Sequence, residues 1–216
     1  MEKLVRSIQE DLARGIENDG SASFVTCGGT SPIKIFQLLS KNSILEWSKV
    51  KACLVDDRCV PSDHKDSNER LLTEYLAVNK ASNINVISLY NEPREVLKIK
   101  RPFDVMLLGL GHDGHFASLF PKLVGNDKYL SVLADPEIVV LDEMGDPKHK
   151  RISMNLAMIL QSKRIVLISN NKDKNKVIED AYSNKDLPLY YLLKQKKVEV
   201  EIVDLNNSKP LYCQDS

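Results

Sequence analysis

The sequence predicts an α/β protein with an open, doubly wound and mainly parallel sheet flanked by helices. Strand-like apolar runs alternate with amphipathic helical segments along the chain. The run FDVMLLGL, which follows Pro102, is apolar almost throughout, as in a strand covered on both faces. The 216 residues, 43% of them hydrophobic, suffice for one substantial core. We therefore expect one domain over residues 1–216.

The first half of the chain alternates predicted helices and strands. Apolar residues recur every three or four positions in residues 1–17 and again after Pro32, which is typical of helices packed on a sheet. The run SASFVT predicts a buried strand that stops at two glycines. A second strand, KVKACLV, ends in DDR, and the helix SNERLLTEYLAV takes Ser67 or Asn68 as its cap. A third strand is predicted at INVISL.

The second half continues the alternation. FDVMLLGL, RIVLISN and VEVEIVD predict strands, and DKNKVIEDAYSN predicts a helix. YLSVLAD and EIVVLD are weaker strand candidates. The polar segments 62–66 and 142–150 are expected to be loops, and both are too short to join two domains.

Charge and composition limit the partners and the location. Thirty basic and thirty acidic residues give a net charge of zero, so no overall field attracts nucleic acid or an anionic membrane. No apolar run approaches the roughly 20 residues of a membrane span, and the N-terminus does not resemble a signal peptide. The four cysteines lack C-x-x-C spacing, so reduced thiols are expected. We expect a cytoplasmic protein that binds neither nucleic acid nor membrane.

Three polar clusters follow predicted strands, at the edge where parallel sheets bind ligands. They are residues 27–32, 56–61 and 109–115. The first contains a glycine pair before a helix start, which suits a phosphate because the backbone can approach closely and free N–H groups are available. An ordinary capped turn is the alternative. A reactive thiol at Cys27 is a further, weaker interpretation.

The second cluster, DDR, offers a cation. Alternation along an extended chain puts Asp56 and Arg58 on one side and Asp57 on the other. Arg58 is then free to hold an anion, and a surface ion pair is the alternative.

The third cluster, GLGHDGH, permits three interpretations. The spacing G-x-G-x-x-G occurs in dinucleotide sites, but this strand lies in mid-chain, and Pro136 directly follows Asp135, the residue at the distance of a ribose-binding acid. A metal site would use His112, Asp113 and His115. The other two histidines, His64 and His149, lie in polar segments that look solvated.

The third interpretation of this loop is acid–base chemistry. Asp113 can orient His115 through one ring N–H, which leaves the other nitrogen free to take a proton. The alternative is that Asp113 caps a helix beginning near Phe116.

The chain resembles the 6-phosphogluconolactonases, in the superfamily that includes glucosamine-6-phosphate deaminase. CGGTSP is similar to S-G-G-S-T-P, and VDDRCVP with the later DSN is similar to D-E-R-x-V-P with a later S-N. LLGLGHDGHFASLFP is similar to L-L-G-x-G-E-D-G-H-T-A-S-L-F-P. The ending SLFP separates it from deaminases, which have F-N-E-P, and the resemblance covers nearly the whole chain.

The resemblance implies a fold of the glucosamine-6-phosphate deaminase type and hydrolysis of 6-phosphogluconolactone in the oxidative pentose phosphate pathway, without metal or organic cofactor. It implies His115 as general base, Asp113 as its orienting partner and Arg58 as the cation at the oxyanion. Asn68 would contact the sugar or steady its loop. The implied phosphate-binding residues are Gly28, Gly29, Thr30, Ser31, Arg151 and Lys174. A deaminase or isomerase, or a noncatalytic sugar-phosphate sensor, is the alternative, and the oligomeric state stays open.

Overall fold

The computed structural model describes residues 1–206 and, for the backbone alone, residues 210–212. The described strands are β1 Ala22–Thr26, β2 Val50–Leu54, β3 Asp56–Arg58, β4 Asn85–Val86, β5 Val105–Leu108, β6 Ile138–Met144, β7 His149–Met154, β8 Ile165–Ser169, β9 Val200–Asp204 and β10 Pro210–Tyr212. The α-helices are α1 Glu2–Asp19, α2 Ile33–Leu39, α3 Asn68–Tyr75, α4 Pro93–Leu97, α5 Asp127–Leu130, α6 Leu156–Ile159, α7 Lys172–Ala181 and α8 Pro188–Lys194.

The larger sheet confirms the predicted fold class. Its seven strands have the order β10-β9-β8-β5-β1-β2-β4, and all neighbours are parallel except β10 and β9. The chain runs outward from β1 through β2 to β4, and then returns to place β5 on the other side of β1. The space between β1 and β5 is therefore the topological switch point, where open α/β sheets bind ligands.

The centre of this sheet is buried on both faces. Every residue of β1, β5 and β8 is buried, which explains why their sequences are continuous apolar runs rather than alternating ones. One large hydrophobic core joins these strands to α1, α2 and α8. Among the described residues, no helix combines the length and the apolarity that crossing a bilayer requires.

A second, antiparallel sheet of order β3-β7-β6 was not predicted. The segment 142–150, expected to be a loop, forms the end of β6, a turn and the start of β7. Arg151, for which no strand was predicted, lies within β7. Three of the seven residues of β6 are solvent-exposed, and its charged outward-facing residues together with a glycine turn resemble a loop in sequence.

Two other predictions need correction. YLSVLAD is not a strand: its first residues end the short helix α5, which Asn126 caps by accepting a hydrogen bond from Lys128 N at 3.1 Å. Leu133 in this run is 86% exposed, so its apolar side chain contributes nothing to a sheet face. The strand predicted at INVISL is confined to Asn85–Val86. Of the two caps predicted for α3, Ser67 is the one in the structure, where its side chain accepts a hydrogen bond from Arg70 N.

Candidate active site

A cavity of about 270 Å³ opens at the carboxyl ends of β1 and β5, at the switch point. All three polar clusters predicted from the sequence reach it. The predicted site residues that line it are Gly28, Gly29, Thr30, Ser31, Arg58, Asn68, His115, Arg151 and Lys174. Asp113, the remaining predicted residue, lies behind the His115 ring.

His115 is held by Asp113 through one ring nitrogen. His115 Nδ1 lies 2.5 Å from Asp113 Oδ1, and the same oxygen accepts from His115 N at 3.3 Å. Burial of Asp113 favours a raised pKa, but the hydrogen bond and charge of His115 outweigh it and lower the pKa of this carboxyl. A carboxylate can only accept, so Nδ1 carries the proton and Nε2 is the nitrogen free to accept one. The helix near Phe116, which the alternative interpretation of this loop required, is absent; this residue forms a bridge with Leu119 instead.

The glycine spacing of this loop makes room for the imidazole. A Cβ on Gly111 would lie 2.2 Å from two atoms of the His115 ring and 2.8 Å from Asp113 Oδ1. Gly111 N also donates to His115 O at 2.8 Å, which closes the loop around the side chain. In this protein, the glycine spacing G-x-G-x-x-G therefore leaves space for the His115 side chain. His112 is exposed and lies outside the cavity lining.

Arg58 and Arg151 form a cationic pair on the small sheet. They are direct partners in the antiparallel ladder between β3 and β7, so their side chains lie on one face. Their hydrogen bonds go to backbone carbonyls: Arg58 Nη1 to Asp66 O at 2.5 Å, and Arg151 Nε and Nη2 to Met144 O and Pro147 O, both at 3.0 Å. Burial, followed by the charge of Arg58, lowers the pKa of Arg151. Two adjacent cations held by carbonyls favour an anionic ligand.

Lys174 reaches the cavity from the amino end of α7. Asn171 caps this helix by accepting from Lys174 N at 2.8 Å, and Lys174 Nζ lies 3.5 Å from Ser31 Oγ. Burial lowers the pKa of Lys174. An ammonium group, a hydroxyl and the backbone of the glycine turn thus converge on one side of the cavity.

Asp57 and Asn68 shape the wall beneath Arg58. As predicted, Asp57 points away from the cavity: its carboxylate accepts from the backbone N–H groups of Arg58, Asn68 and Glu69 at 2.7–3.0 Å. Burial outweighs these bonds and raises the pKa of Asp57 to about 6. Asn68 is buried directly against Gly28, where a Cβ would lie 1.9 Å from its side chain. Asn68 lines the cavity, and its buried Oδ1 has no hydrogen-bond partner among the described residues.

Comparisons with known proteins show the family of this chain. Residues 1–201 match the family of glucosamine-6-phosphate isomerases/6-phosphogluconolactonase. The chain belongs to this family. A 6-phosphogluconolactonase from Neisseria meningitidis serogroup A is 30% identical over 215 residues, covering 93% of this chain and 92% of the relative. One from Pseudomonas putida is 31% identical, covering 85% and 79%. The crystal structure of a 6-phosphogluconolactonase from Shewanella baltica OS155 superposes with a TM-score of 0.84 at 32% identity, covering 93% and 91%.

Several lining residues of this family member were missed from the sequence. Asp56 is buried at the cavity and accepts from Ser118 Oγ at 2.6 Å. Phe120 stacks on the His115 ring with the centroids 4.2 Å apart. The hairpin residues Gly145 and Asp146 complete the lining. The strand alternation that placed Arg58 also pointed to Asp56, whereas the hairpin could not be found without predicting the second sheet.

Cys27, where the family pattern has serine, is not a reactive thiol. It is 4% exposed, and burial, followed by the charge of Asp56, raises its pKa to about 12. The thiolate is the nucleophilic form, so burial and the raised pKa argue against a nucleophilic role for this side chain at neutral pH. Cys27, Cys53 and Cys59 are all unpaired, and Cys213 lies outside the described residues. In the described part of the chain, no cluster of three or more His, Cys, Asp or Glu side chains could hold a metal ion.

Proposed function

We propose that this protein hydrolyses 6-phosphogluconolactone to 6-phosphogluconate, with His115 as the general base. The observation that carries the proposal is one histidine whose Nδ1 is occupied by Asp113 and whose ring lines a cavity bearing three cations, Arg58, Arg151 and Lys174. A general base beside cations suits the attack of water on a neutral lactone carbonyl in a molecule that also carries an anionic phosphate. The 6-phosphogluconolactonases among the relatives support the same substrate.

In the first step, His115 Nε2 takes a proton from water as the water oxygen bonds to the lactone carbonyl carbon. The carbonyl oxygen becomes an oxyanion, and the imidazole becomes an imidazolium. Asp113 stabilises that cation and keeps the ring oriented. Phe120 packs against the ring face and limits its rotation.

In the second step, the tetrahedral intermediate collapses. The bond between the carbonyl carbon and the ring oxygen breaks, and the ring oxygen takes the proton back from His115. The products are a carboxylic acid, which ionises at neutral pH, and a hydroxyl. His115 returns to its neutral form, so the cycle balances without another reactant.

The cations divide between the oxyanion and the phosphate. We assign Arg58 to the oxyanion, because its Nε is buried without a partner among the described residues. We assign the phosphate to Lys174, Arg151 and residues 28–31, where the loop before α2 offers backbone N–H groups. Asn68, which lines the same cavity, then contacts the sugar. The unpaired cysteines support a cytoplasmic location.

The test generates the lactone in situ and follows acid release against spontaneous hydrolysis, with a parallel assay for ammonia from glucosamine 6-phosphate. Acid release above the spontaneous rate, without ammonia, is the expected result. Ammonia would support a deaminase instead. Saturable binding of 6-phosphogluconate with neither product would identify a sensor and contradict the proposal.

A further inference from the structure

Two histidines that look solvated in the sequence meet at one aspartate. His149 Nε2 donates to Asp66 Oδ2 at 3.0 Å, and Asp66 N donates to His64 Nδ1 at 3.1 Å. The two imidazole rings pack edge to face with centroids 5.8 Å apart. The side chains of His149 and Asp66 are only 26% and 21% exposed. None of the three residues lines the cavity, and the catalytic steps above use none of them.

This cluster joins the two segments that carry the cationic pair. Asp66 lies in the loop between β3 and α3, and its carbonyl accepts the hydrogen bond from Arg58 Nη1. His149 opens β7 two residues before Arg151, so both lie on one face of the strand. Arg151 is in turn the ladder partner of Arg58. The bond between Asp66 and His149 therefore ties the loop that holds Arg58 to the hairpin that holds Arg151.

We propose that Asp66 and His149 are positioning residues that fix the Arg58 guanidinium for catalysis. The inference rests on the proposed function, in which Arg58 stabilises the oxyanion. Arg58 is a long side chain whose Nε has no partner among the described residues, so the bond from Nη1 to Asp66 O sets the direction of its head group. Cys59 N also donates to Lys150 O at 2.9 Å, but near Asp66 the loop is tied to the hairpin by His149, and without that bond the Asp66 carbonyl can shift.

The charges around Asp66 favour a strong anchor. The hydrogen bond from His149 lowers the pKa of the Asp66 carboxyl, and the charges of Lys65, His64 and His149 add to this effect against a smaller opposing contribution from burial. Asp66 is therefore an ionised acceptor at neutral pH. Hydrogen bonds to ionised acceptors are shorter and stronger than neutral ones, so this bond can hold two segments together.

The first experiment compares His149→Phe, which removes the donor, with His149→Gln, whose amide keeps a donor near the Nε2 position. His149→Phe should lower kcat by about 10- to 100-fold while KM changes little, because misplacing a catalytic group costs that much. His149→Gln should recover most of the loss. The control is His112→Phe. His112 is an exposed histidine outside the cavity lining, so this variant should match the wild type in kcat and KM.

A double-mutant cycle tests whether the effect passes through Arg58. In an Arg58→Lys background, His149→Phe should change kcat by less than about twofold, since the group that it positions is gone. Asp66→Ala should behave like His149→Phe, which covers the case in which one variant folds poorly. If His149→Phe lowers kcat in the Arg58→Lys background by the same factor as in the wild type, the proposal is overturned.

The Arg58 Nε–H signal in the ¹⁵N spectrum gives a readout that needs no turnover. It is assigned by its loss in Arg58→Lys, and it should shift or broaden in His149→Phe but not in His149→Gln or His112→Phe. An unchanged signal in His149→Phe would overturn the inference even if the enzyme is active. A wild type without lactonase activity would overturn the proposed function, while this signal would still decide whether His149 positions Arg58.

Discussion

The cavity has two walls of different origin. The sheet-edge wall stands on the carboxyl ends of the parallel strands and comprises residues 27–31, residues 109–111, His115 and Lys174. The hairpin wall comprises Arg58, Gly145, Asp146 and Arg151 and belongs to the small antiparallel sheet. The first contains the proposed base, and the second contains two of the three cations. A site at the edge of the large sheet thus depends on the small antiparallel sheet to complete its cavity.

Among substitutions in the two walls, His115→Ala in the sheet-edge wall should have the largest effect on activity. Loss of the general base should lower kcat by about two orders of magnitude or more and leave folding intact. Steady-state kinetics on the lactone, with His112→Ala as the matched loop control, would measure it. If kcat stayed at the wild-type value, His115 would not be the base.

The hairpin wall can be probed separately with Gly145→Ala. Gly145 has φ of 78°, and a Cβ there would lie 2.5 Å from Arg151 Nη2. The strain of about 1–2 kcal/mol and the displaced guanidinium should raise KM for the phosphorylated lactone about tenfold and change kcat less.

Gly20→Ala is its control. Gly20 has φ of 74°, but nothing lies within 4 Å of its added Cβ, so it carries the same backbone strain away from the cavity. Equal kinetic effects in the two variants would show that strain alone, and not Arg151, accounts for the change.

The walls were not equally predictable from the sequence. The parallel strands around the switch point are buried on both faces, so their apolar runs and the polar turns after them are visible in the chain itself. EIVVLD is a weaker strand candidate and does lie largely in β6, but three of the seven residues of β6 are exposed and β3 has only three residues, so neither has a distinctive pattern. Arg151 was found through family resemblance, and its strand was not. The pairing of His64 with His149 depends on long-range contacts that no local pattern records.

Asp57 should make the stability of the protein depend on pH. Its buried carboxylate anchors the start of α3 to β3. Its pKa is raised from 3.8 to about 6, so between these values the folded chain binds a proton that the unfolded chain has released. The free energy of unfolding of the wild type, relative to Asp57→Asn, should therefore fall as pH rises from about 4 to about 6. The fall should be roughly 3 kcal/mol and should level off above that range. Chemical denaturation of both proteins at several pH values measures it, and a constant difference would contradict the assignment.

The smallest effect is expected at Cys27 in the sheet-edge wall. With a pKa of about 12, its thiol should resist iodoacetamide at pH 8, and Cys27→Ser should change kcat/KM by less than about threefold. Mass spectrometry of the alkylated native protein would test the first point, with the half-buried Cys59 as the internal reference. Rapid alkylation of Cys27 with parallel loss of activity would restore a nucleophilic role.

In the proposed mechanism, His115 performs the proton transfers, and the cations hold the phosphate and the oxyanion. The most direct measurement compares kcat/KM on 6-phosphogluconolactone and on unphosphorylated gluconolactone for the wild type, His115→Ala and Lys174→Ala. His115→Ala should lower both values by the same factor, whereas Lys174→Ala should lower only the value for the phosphorylated lactone. Enzymatic hydrolysis of gluconolactone that survives in His115→Ala, or an equal loss on both lactones in Lys174→Ala, would contradict it.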